Sequence, residues 1–162
     1  MLKPYKKYTK RSKVAGRFIY SRKPMKIIQV DSTIENLSSV MEFINSELDD
    51  LLCPEQIRAK IKLAIDELFG NICFYAYDPI PGPVKICLES ETDPPAVVIS
   101  FTDKGKPYNP LEADEPDVEL SGEDRPIGGL GIYLVQSTMD DMKYEYKNEQ
   151  NILTFKKYLN ED

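Results

Sequence analysis

The sequence predicts an α+β fold: a two-layer α/β sandwich in which helices cover one face of a mixed, mostly antiparallel sheet. Strand-like segments follow one another along the chain, two helical patterns are adjacent, and no βαβ rhythm is present. A chain of 162 residues can bury a substantial core as one domain. We therefore expect a single domain over residues 25–162, preceded by a basic, flexible N-terminal tail over residues 1–24.

The basic charge is concentrated in the N-terminal segment. Residues 1–30 contain ten Lys and Arg residues and no acid, whereas the remainder contains eleven basic and 27 acidic residues. A basic arm can bind nucleic acid or an anionic surface, but the acidic body would repel phosphate backbones. Apolar periodicity is missing up to about Lys23. We interpret the segment as a tail, or as sequence upstream of a second start at Met25, and expect no direct nucleic-acid binding.

Composition also limits the chemistry and the compartment. Histidine is absent, which excludes Ser-His-Asp and Cys-His catalysis and the common zinc sites. The three cysteines lack C-x-x-C spacing and lie in apolar patterns, as expected of buried thiols in a reducing compartment. No apolar run approaches the roughly 20 residues that span a bilayer. We expect a cytoplasmic protein with no membrane segment.

The first half of the chain predicts one strand and two helices. Met25–Val30 is a β-rich segment typical of an edge strand. Ser32–Glu35 has the pattern of a capping box, and apolar residues follow it at helical spacing as far as Leu51. Pro54 suits the first turn of a second helix, which the Pro-rich residues 78–83 end. The apolar face of that helix consists of Ile57, Ile61, Ala64, Ile65, Leu68, Ile72 and Ala76.

The second half predicts two strand pairs separated by a long loop and a short helix. Residues 84–88 and 97–101 alternate as an antiparallel hairpin does, as do residues 142–146 and 152–157 around a turn at 148–151. Residues 103–127 are rich in Pro, Gly and acids and have no period. A loop of that length is usually functional, such as a lid over a ligand. A helix from about Gly129 to Met139 follows it.

Three polar constellations indicate chemistry. Glu67 and Asn71, at i and i+4 on the second helix, lie about 40° apart around its axis, and their oxygens suit Mg²⁺ and a general base. Asp103 ends a strand, where a carboxylate can accept a hydrogen bond from an exocyclic amine, and Gly105 would let a flat base approach the backbone. Taken alone, an exposed Glu-Asn pair or an Asp-x-Gly turn is a common surface feature.

The third constellation is a glycine run, Gly128-Gly129-Leu130-Gly131, that opens the last helix. Backbone N–H groups at a helix N-terminus bind phosphate with assistance from the helix dipole. The run follows a loop rather than a first strand, so it does not match a Rossmann fingerprint, and no Gly-Lys-Ser/Thr follows as in a Walker loop.

In this order, with a lid between the second and third, the three motifs resemble the N, G1 and G2 boxes of the GHKL ATPase superfamily (gyrase, histidine kinases and MutL). The closest likeness is to bacterial anti-sigma factor serine-protein kinases. The likeness runs from about Lys26 to Lys157. It includes the D-x-G-x-P-Y-N-P run after Phe101 and a last motif, Asn151-x-Leu153-Thr154-x-x-Lys157.

The resemblance implies an ATP and Mg²⁺ site. It implies that Glu67 is the general base, that Asn71 is the Mg²⁺ ligand and that Asp103 accepts the adenine amino group. The other implied contacts are Gly105 in the base pocket, Thr154 beneath the adenine, the lid between Tyr108 and Gly128, and the residues placed at the triphosphate: Gly128, Gly129, Leu130, Gly131, Arg125, Lys104 and Lys106.

The resemblance implies a homodimeric kinase that phosphorylates a serine of an anti-anti-sigma (STAS-type) protein and, in another complex, sequesters a sigma factor. An alternative is a nucleotide-dependent binding module with little or no catalysis, which the absence of Lys and Arg from residues 111–124 favours. A detached histidine-kinase catalytic domain would need its phosphoacceptor histidine and dimerising hairpin from another protein.

Overall fold

The computed structural model describes residues 24–112 and 129–160, together with two short strands nearer the N-terminus. These strands, β1 (Ser12–Val14) and β2 (Arg17–Ile19), pair antiparallel as a separate two-stranded ribbon. No strand was expected within residues 1–24. The interpretation of that segment as a flexible tail stays a prediction.

A five-stranded sheet forms one layer of the fold. Its strands are β3 (Lys26–Asp31), β4 (Pro83–Thr92), β5 (Pro95–Asp103), β6 (Asp141–Lys147) and β7 (Gln150–Tyr158), in the order β3-β4-β5-β7-β6. Every neighbouring pair of these strands is antiparallel, so the expectation of a mixed sheet was wrong for the described residues. Two helices between β3 and β4 return the chain so that β4 runs opposite to β3. The strands β5 and β6, which are joined through one helix, run parallel to each other. They do not pair directly, because β7 lies between them in the sheet.

Three helices lie on one face of this sheet. A short 3₁₀ turn (Ile34–Asn36) leads into α1 (Leu37–Asp50), and α2 (Glu55–Asn71) continues as a π-helical turn (Ile72–Ala76). The third helix, α3 (Gly129–Thr138), packs against α2. Apolar periodicity in the sequence therefore predicted the helices correctly, and their apolar faces meet the alternate residues of β4, β5 and β7. The largest fully buried side chains include Phe69, Phe101, Phe155, Ile44, Leu48, Ile61 and Ile65.

Ser32 does not cap the first helix, so the capping-box prediction was wrong. Thr33 occupies the N-cap position of the 3₁₀ turn and makes no side-chain capping bond. The Ser32 side chain is buried, and its Oγ accepts a hydrogen bond from the Gly82 N–H at 3.1 Å, while the Ser32 N–H donates to the Gly82 carbonyl at 2.8 Å. Because β3 continues to Asp31, the hydroxyl lies next to the segment that leads into β4 and joins the two strand ends.

All three cysteines are free thiols, as the sequence predicted. Cys53 and Cys87 are buried and Cys73 is half-buried. Burial is the main reason that the pKa of Cys73 is raised to about 11, with a further contribution from the nearby Glu35 carboxylate. Within the described part of the chain, no helix has both the length and the apolar character needed to cross a membrane.

The Ser32 contact predicts unequal effects of two substitutions. Ser32→Ala leaves the buried Gly82 N–H without its acceptor, so we expect a loss of about 1–3 kcal/mol in the free energy of unfolding. Glu35→Ala removes an exposed side chain and should change that free energy by less than about 0.5 kcal/mol. Urea unfolding of both variants measures the difference. Equal losses would instead indicate a capping box.

Candidate functional site

The three polar constellations lie along one end of the helical layer. Glu67 near the end of α2 meets the first turn of α3, and the loop that follows β5 packs on the π-helical turn after α2. The C-terminal part of α2 is therefore the element that both neighbouring segments contact. Side chains predicted from three separate regions of the sequence are thus brought to one region of the surface.

Glu67 lies against Gly131. Gly131 is buried in the first turn of α3, and a Cβ placed on it would overlap Oε2 and Cδ of the Glu67 carboxylate. The carboxylate is therefore next to the helix N-terminus, where backbone N–H groups and the helix dipole favour negative charge. This place suits an anionic group, and Glu67 lies at its border.

Asn71 is the last residue of α2, one turn beyond Glu67, and both side chains are half-buried. The described residues contain no cluster of three or more Cys, Asp and Glu side chains that would hold a metal by themselves. Mg²⁺ usually takes one or two protein oxygens and completes its shell with substrate phosphates and water. The carboxylate of Glu67 and the amide oxygen of Asn71, beside an anion-favouring helix end, fit that mode of binding.

Asp103 is buried at the end of β5, with 6% of its surface exposed. Its Oδ1 accepts hydrogen bonds from the Gly105 N–H at 2.8 Å and from Asn151 Nδ2 at 2.9 Å. Both bonds use the same oxygen, so they fix the carboxylate without engaging Oδ2. An acceptor held in this way at the end of a strand suits recognition of an amino group on a ligand.

Gly105 lies close to the backbone of Ala76, a contact that the sequence did not predict, and the approach of a base to Gly105 stays a prediction. A Cβ at this position would lie 2.6 Å from the Ala76 Cβ and 2.7 Å from the Ala76 carbonyl carbon. The neighbouring Lys106 N–H donates to the Ala76 carbonyl at 2.8 Å. The loop after β5 is therefore seated on the end of the π-helical turn, and a side chain at residue 105 would separate the two.

The Tyr77 hydroxyl forms hydrogen bonds that hold the loop after β5 in place. The hydroxyl accepts a hydrogen bond from the Lys104 N–H at 2.8 Å and donates to the Pro83 carbonyl at 2.8 Å. Burial raises the pKa of Tyr77, the Lys104 N–H partly offsets this, and the Asp103 carboxylate adds to it. The phenol therefore stays protonated at neutral pH and can keep donating to Pro83.

Except for Thr154, the remaining predicted site residues are exposed, lie at the start of α3 or fall outside the described residues. Tyr108 and Leu130 are exposed at this end of the molecule, and Gly129 begins α3. The Lys104 and Lys106 side chains are exposed, with Lys106 Nζ 3.9 Å from an Asp78 carboxylate oxygen. Arg125, Gly128 and the lid residues 113–128 lie outside the described residues.

Thr154 does not join this cluster. In β7, Asn151, Leu153 and Phe155 share the face that meets the helices, and strand alternation puts Thr154 on the opposite face. Thr154 pairs with Ser100 of β5, three positions from Asp103, whereas Asp103 pairs with Asn151. The structure therefore separates Thr154 from the helix-side end of β5, where the adenine was expected.

Asn151 and Tyr144 were not among the predicted site residues. Asn151 is buried among the core-facing positions of β7, and Tyr144 of β6 donates its hydroxyl to Asn151 Oδ1 at 2.7 Å. One signal was available in the sequence, because Asn151 is a polar residue in the same alternating series as Leu153 and Phe155. A polar side chain at a core-facing position must be hydrogen-bonded.

Comparison with known proteins identifies relatives of this chain. The family model for the histidine kinase-like ATPase domain matches residues 30–157. The serine/threonine-protein kinase BtrW of Bordetella bronchiseptica is 29% identical over 99 residues, which cover 61% of this chain and 69% of BtrW. The serine-protein kinase RsbW of Bacillus cereus is 24% identical over 126 residues, which cover 76% of this chain and 72% of RsbW.

A solved structure has the same fold. The crystal structure of the RsbU and RsbW domains of Rv1364c from Mycobacterium tuberculosis superposes with a TM-score of 0.62 at 16% identity. The match covers 86% of this chain and 34% of the Rv1364c chain, so the chain spans about a third of that protein. The predicted two-layer α+β architecture is confirmed.

The packing of Gly105 and Gly70 predicts opposite effects of the same substitution. Gly105→Ala forces a Cβ into the Ala76 backbone and should cost about 1–3 kcal/mol of stability. Gly70→Ala is the matched control, because a Cβ on this helical glycine meets nothing within 4 Å. Alanine there should stabilise the protein by up to about 1 kcal/mol through helix propensity. Thermal unfolding distinguishes the two, and a stabilised Gly105→Ala variant would contradict the packing described.

Proposed function

The chain belongs to the family of histidine kinase-like ATPase domains, and from that premise we propose that it binds ATP with Mg²⁺ and phosphorylates a serine of a partner protein. The observation that carries the proposal is the Glu67 carboxylate. It lies one helical turn from Asn71 and against the first turn of α3, so a candidate base, a candidate metal ligand and a helix end that suits phosphate adjoin one another.

Each end of the nucleotide would meet a different part of the site. Asp103 would accept a hydrogen bond from the adenine amino group, and Gly105 would allow the base to approach the backbone. The first turn of α3 would donate N–H groups to the phosphates. Asn71 would hold Mg²⁺, which when bound supplies positive charge to the phosphate oxygens.

Glu67 would act on the partner's serine. A carboxylate within hydrogen-bond reach can orient the hydroxyl and accept its proton as the γ-phosphoryl group is transferred. The bond between the γ-phosphorus and the bridging oxygen breaks, the serine oxygen bonds to phosphorus, and ADP leaves. Positioning by the helix end and Asn71 supplies the rest of the stabilisation, because phosphoryl transfer depends mainly on alignment and charge.

The partner proposed is a small anti-anti-sigma protein of the STAS type. In a second complex the chain would hold a sigma factor away from RNA polymerase, in the cytoplasm and as a homodimer. Support comes from the motif likeness to anti-sigma factor kinases, and from relatives whose names describe serine or serine/threonine kinases at 24–29% identity.

A second candidate function is a nucleotide-dependent binding module that sequesters its partner with little catalysis. Residues 111–124 contain several acids and no Lys or Arg, so this segment offers no positive charge to a triphosphate. Weak charge neutralisation would slow phosphoryl transfer more than it would weaken nucleotide binding. ATP binding without transfer to any partner would favour this module.

Replacement of Glu67 tests the kinase assignment. Glu67→Ala should lower phosphoryl transfer to the partner's serine by about 10²–10⁴-fold, the usual contribution of a general base, while ATP binding persists. Asp66→Ala is the matched control, because Asp66 is the neighbouring carboxylate on the exposed side of α2 and should leave transfer unchanged. Labelled ATP with Mg²⁺ and the partner measures transfer. Undiminished transfer by the Glu67 variant would remove it from the role of base.

A further inference from the structure

We propose that Asn151 is a positioning residue that sets the preference of this site for adenine by holding Asp103. The inference rests on the proposed function, since it concerns the base-binding end of the same nucleotide site. Asn151 and Asp103 are register partners in neighbouring strands, and both side chains are buried on the helix side of the sheet. The Asn151 amide reaches Asp103 Oδ1 at 2.9 Å.

The Asn151 side chain has only one orientation that satisfies its surroundings. Its Nδ2 donates to Asp103 Oδ1, to the Lys106 carbonyl at 3.0 Å and, at 3.4 Å, to the Gly105 carbonyl. Its Oδ1 accepts from the Tyr108 N–H at 3.2 Å and from the Tyr144 hydroxyl at 2.7 Å. If the amide were flipped, its oxygen would face three acceptors, namely Asp103 Oδ1 and the Gly105 and Lys106 carbonyls. Its NH₂ group would face the Tyr108 N–H and the Tyr144 hydroxyl, which both donate hydrogen bonds in the orientation observed. The hydrogen-bond network therefore determines which atom of the Asn151 amide is the oxygen and which is the nitrogen.

This orientation determines what Asp103 can do. The Asn151 amide and the Gly105 N–H both donate to Oδ1, so the plane of the carboxylate is set by two fixed donors. An ionised carboxylate only accepts hydrogen bonds. Held in this plane, Asp103 presents Oδ2 to a ligand, where it suits the 6-amino group of adenine and repels the 6-oxo group of guanine.

Asn151 also holds the segment that would lie beside the base. Its contacts to the backbone of Gly105, Lys106 and Tyr108 tie three residues of the loop after β5 to β7. Tyr144, a residue of β6, in turn donates a hydrogen bond to the Asn151 side-chain oxygen. Asn151 acts through Asp103 and this loop rather than by contact with the reacting phosphates, so its effect should appear in base selectivity.

Base selectivity can be measured with two triphosphates that differ only in the amino group. ATP carries the 6-amino group and purine riboside 5′-triphosphate lacks it, so the ratio of their Kd values isolates the bond to Asp103. The wild-type protein should bind ATP about tenfold to a hundredfold more tightly, as expected for a hydrogen bond to a charged group. Asn151→Asp keeps the side-chain shape but removes the donors, and the ratio should fall towards one.

Two further variants complete the test. Thr154→Ala changes the opposite face of the same strand and should leave the ratio at its wild-type value. Tyr144→Phe removes one bond to the Asn151 oxygen and keeps the Asp103 contact, so it should lower the ratio by less than Asn151→Asp does. If Asn151→Asp does not fold, an unchanged ratio in Tyr144→Phe overturns the proposal and a lowered ratio supports it.

The outcomes separate the inference from the proposed function. Equal weakening of both triphosphates by Asn151→Asp, with the wild-type ratio kept, would make Asn151 a purely structural residue and overturn the positioning role. Equal binding of the two triphosphates by the wild-type protein would also overturn it while leaving ATP binding intact. Failure of the wild-type protein to bind either triphosphate would instead contradict the proposed function.

Discussion

Pairing of β5 with β7 is the constraint on which the proposed base-binding end of the site depends. The register sets Asp103 opposite Asn151, and all the hydrogen bonds of the Asn151 amide follow from that placement. A shift of one residue would move Asn151 to the other face of the sheet and leave Asp103 with one fewer donor. The tight turn at Asn148-Glu149, where both residues have positive φ, fixes the register of β7 against β6 and so brings Tyr144 to the same cluster.

The proposed phosphate-binding end of the site depends on the packing of α2 against α3. The absence of a side chain at Gly131 allows the Glu67 carboxylate to lie against the first turn of α3. The π-helical turn after Asn71 then carries α2 to Ala76 and Tyr77, which hold the loop after β5. One helix thus connects Glu67 and Asn71 to the loop after β5, so the two ends of the proposed nucleotide would contact a single element.

Local patterns in the sequence predicted most of the fold and part of the site. Helical spacing placed Glu67 and Asn71 on one face of α2, and strand alternation located both hairpins. The register between strands distant in the chain is not contained in either pattern, so the partnership of Asp103 and Asn151 could not be predicted. The capping box failed because the buried Ser32 hydroxyl meets a backbone N–H 50 residues away. Motif likeness alone had pointed to Thr154, which strand parity places on the other face of β7.

We propose that Asp103 and the groups around it form an adenine nucleotide site. Isothermal titration calorimetry of ATP in the presence of Mg²⁺, with wild-type protein and with Asp103→Asn, measures whether they do. The substitution keeps the shape of the side chain and replaces a charged acceptor with a neutral amide. We expect saturable binding by the wild-type protein and at least about tenfold weaker binding by the variant. Equal affinities, or no binding by the wild-type protein, would contradict it.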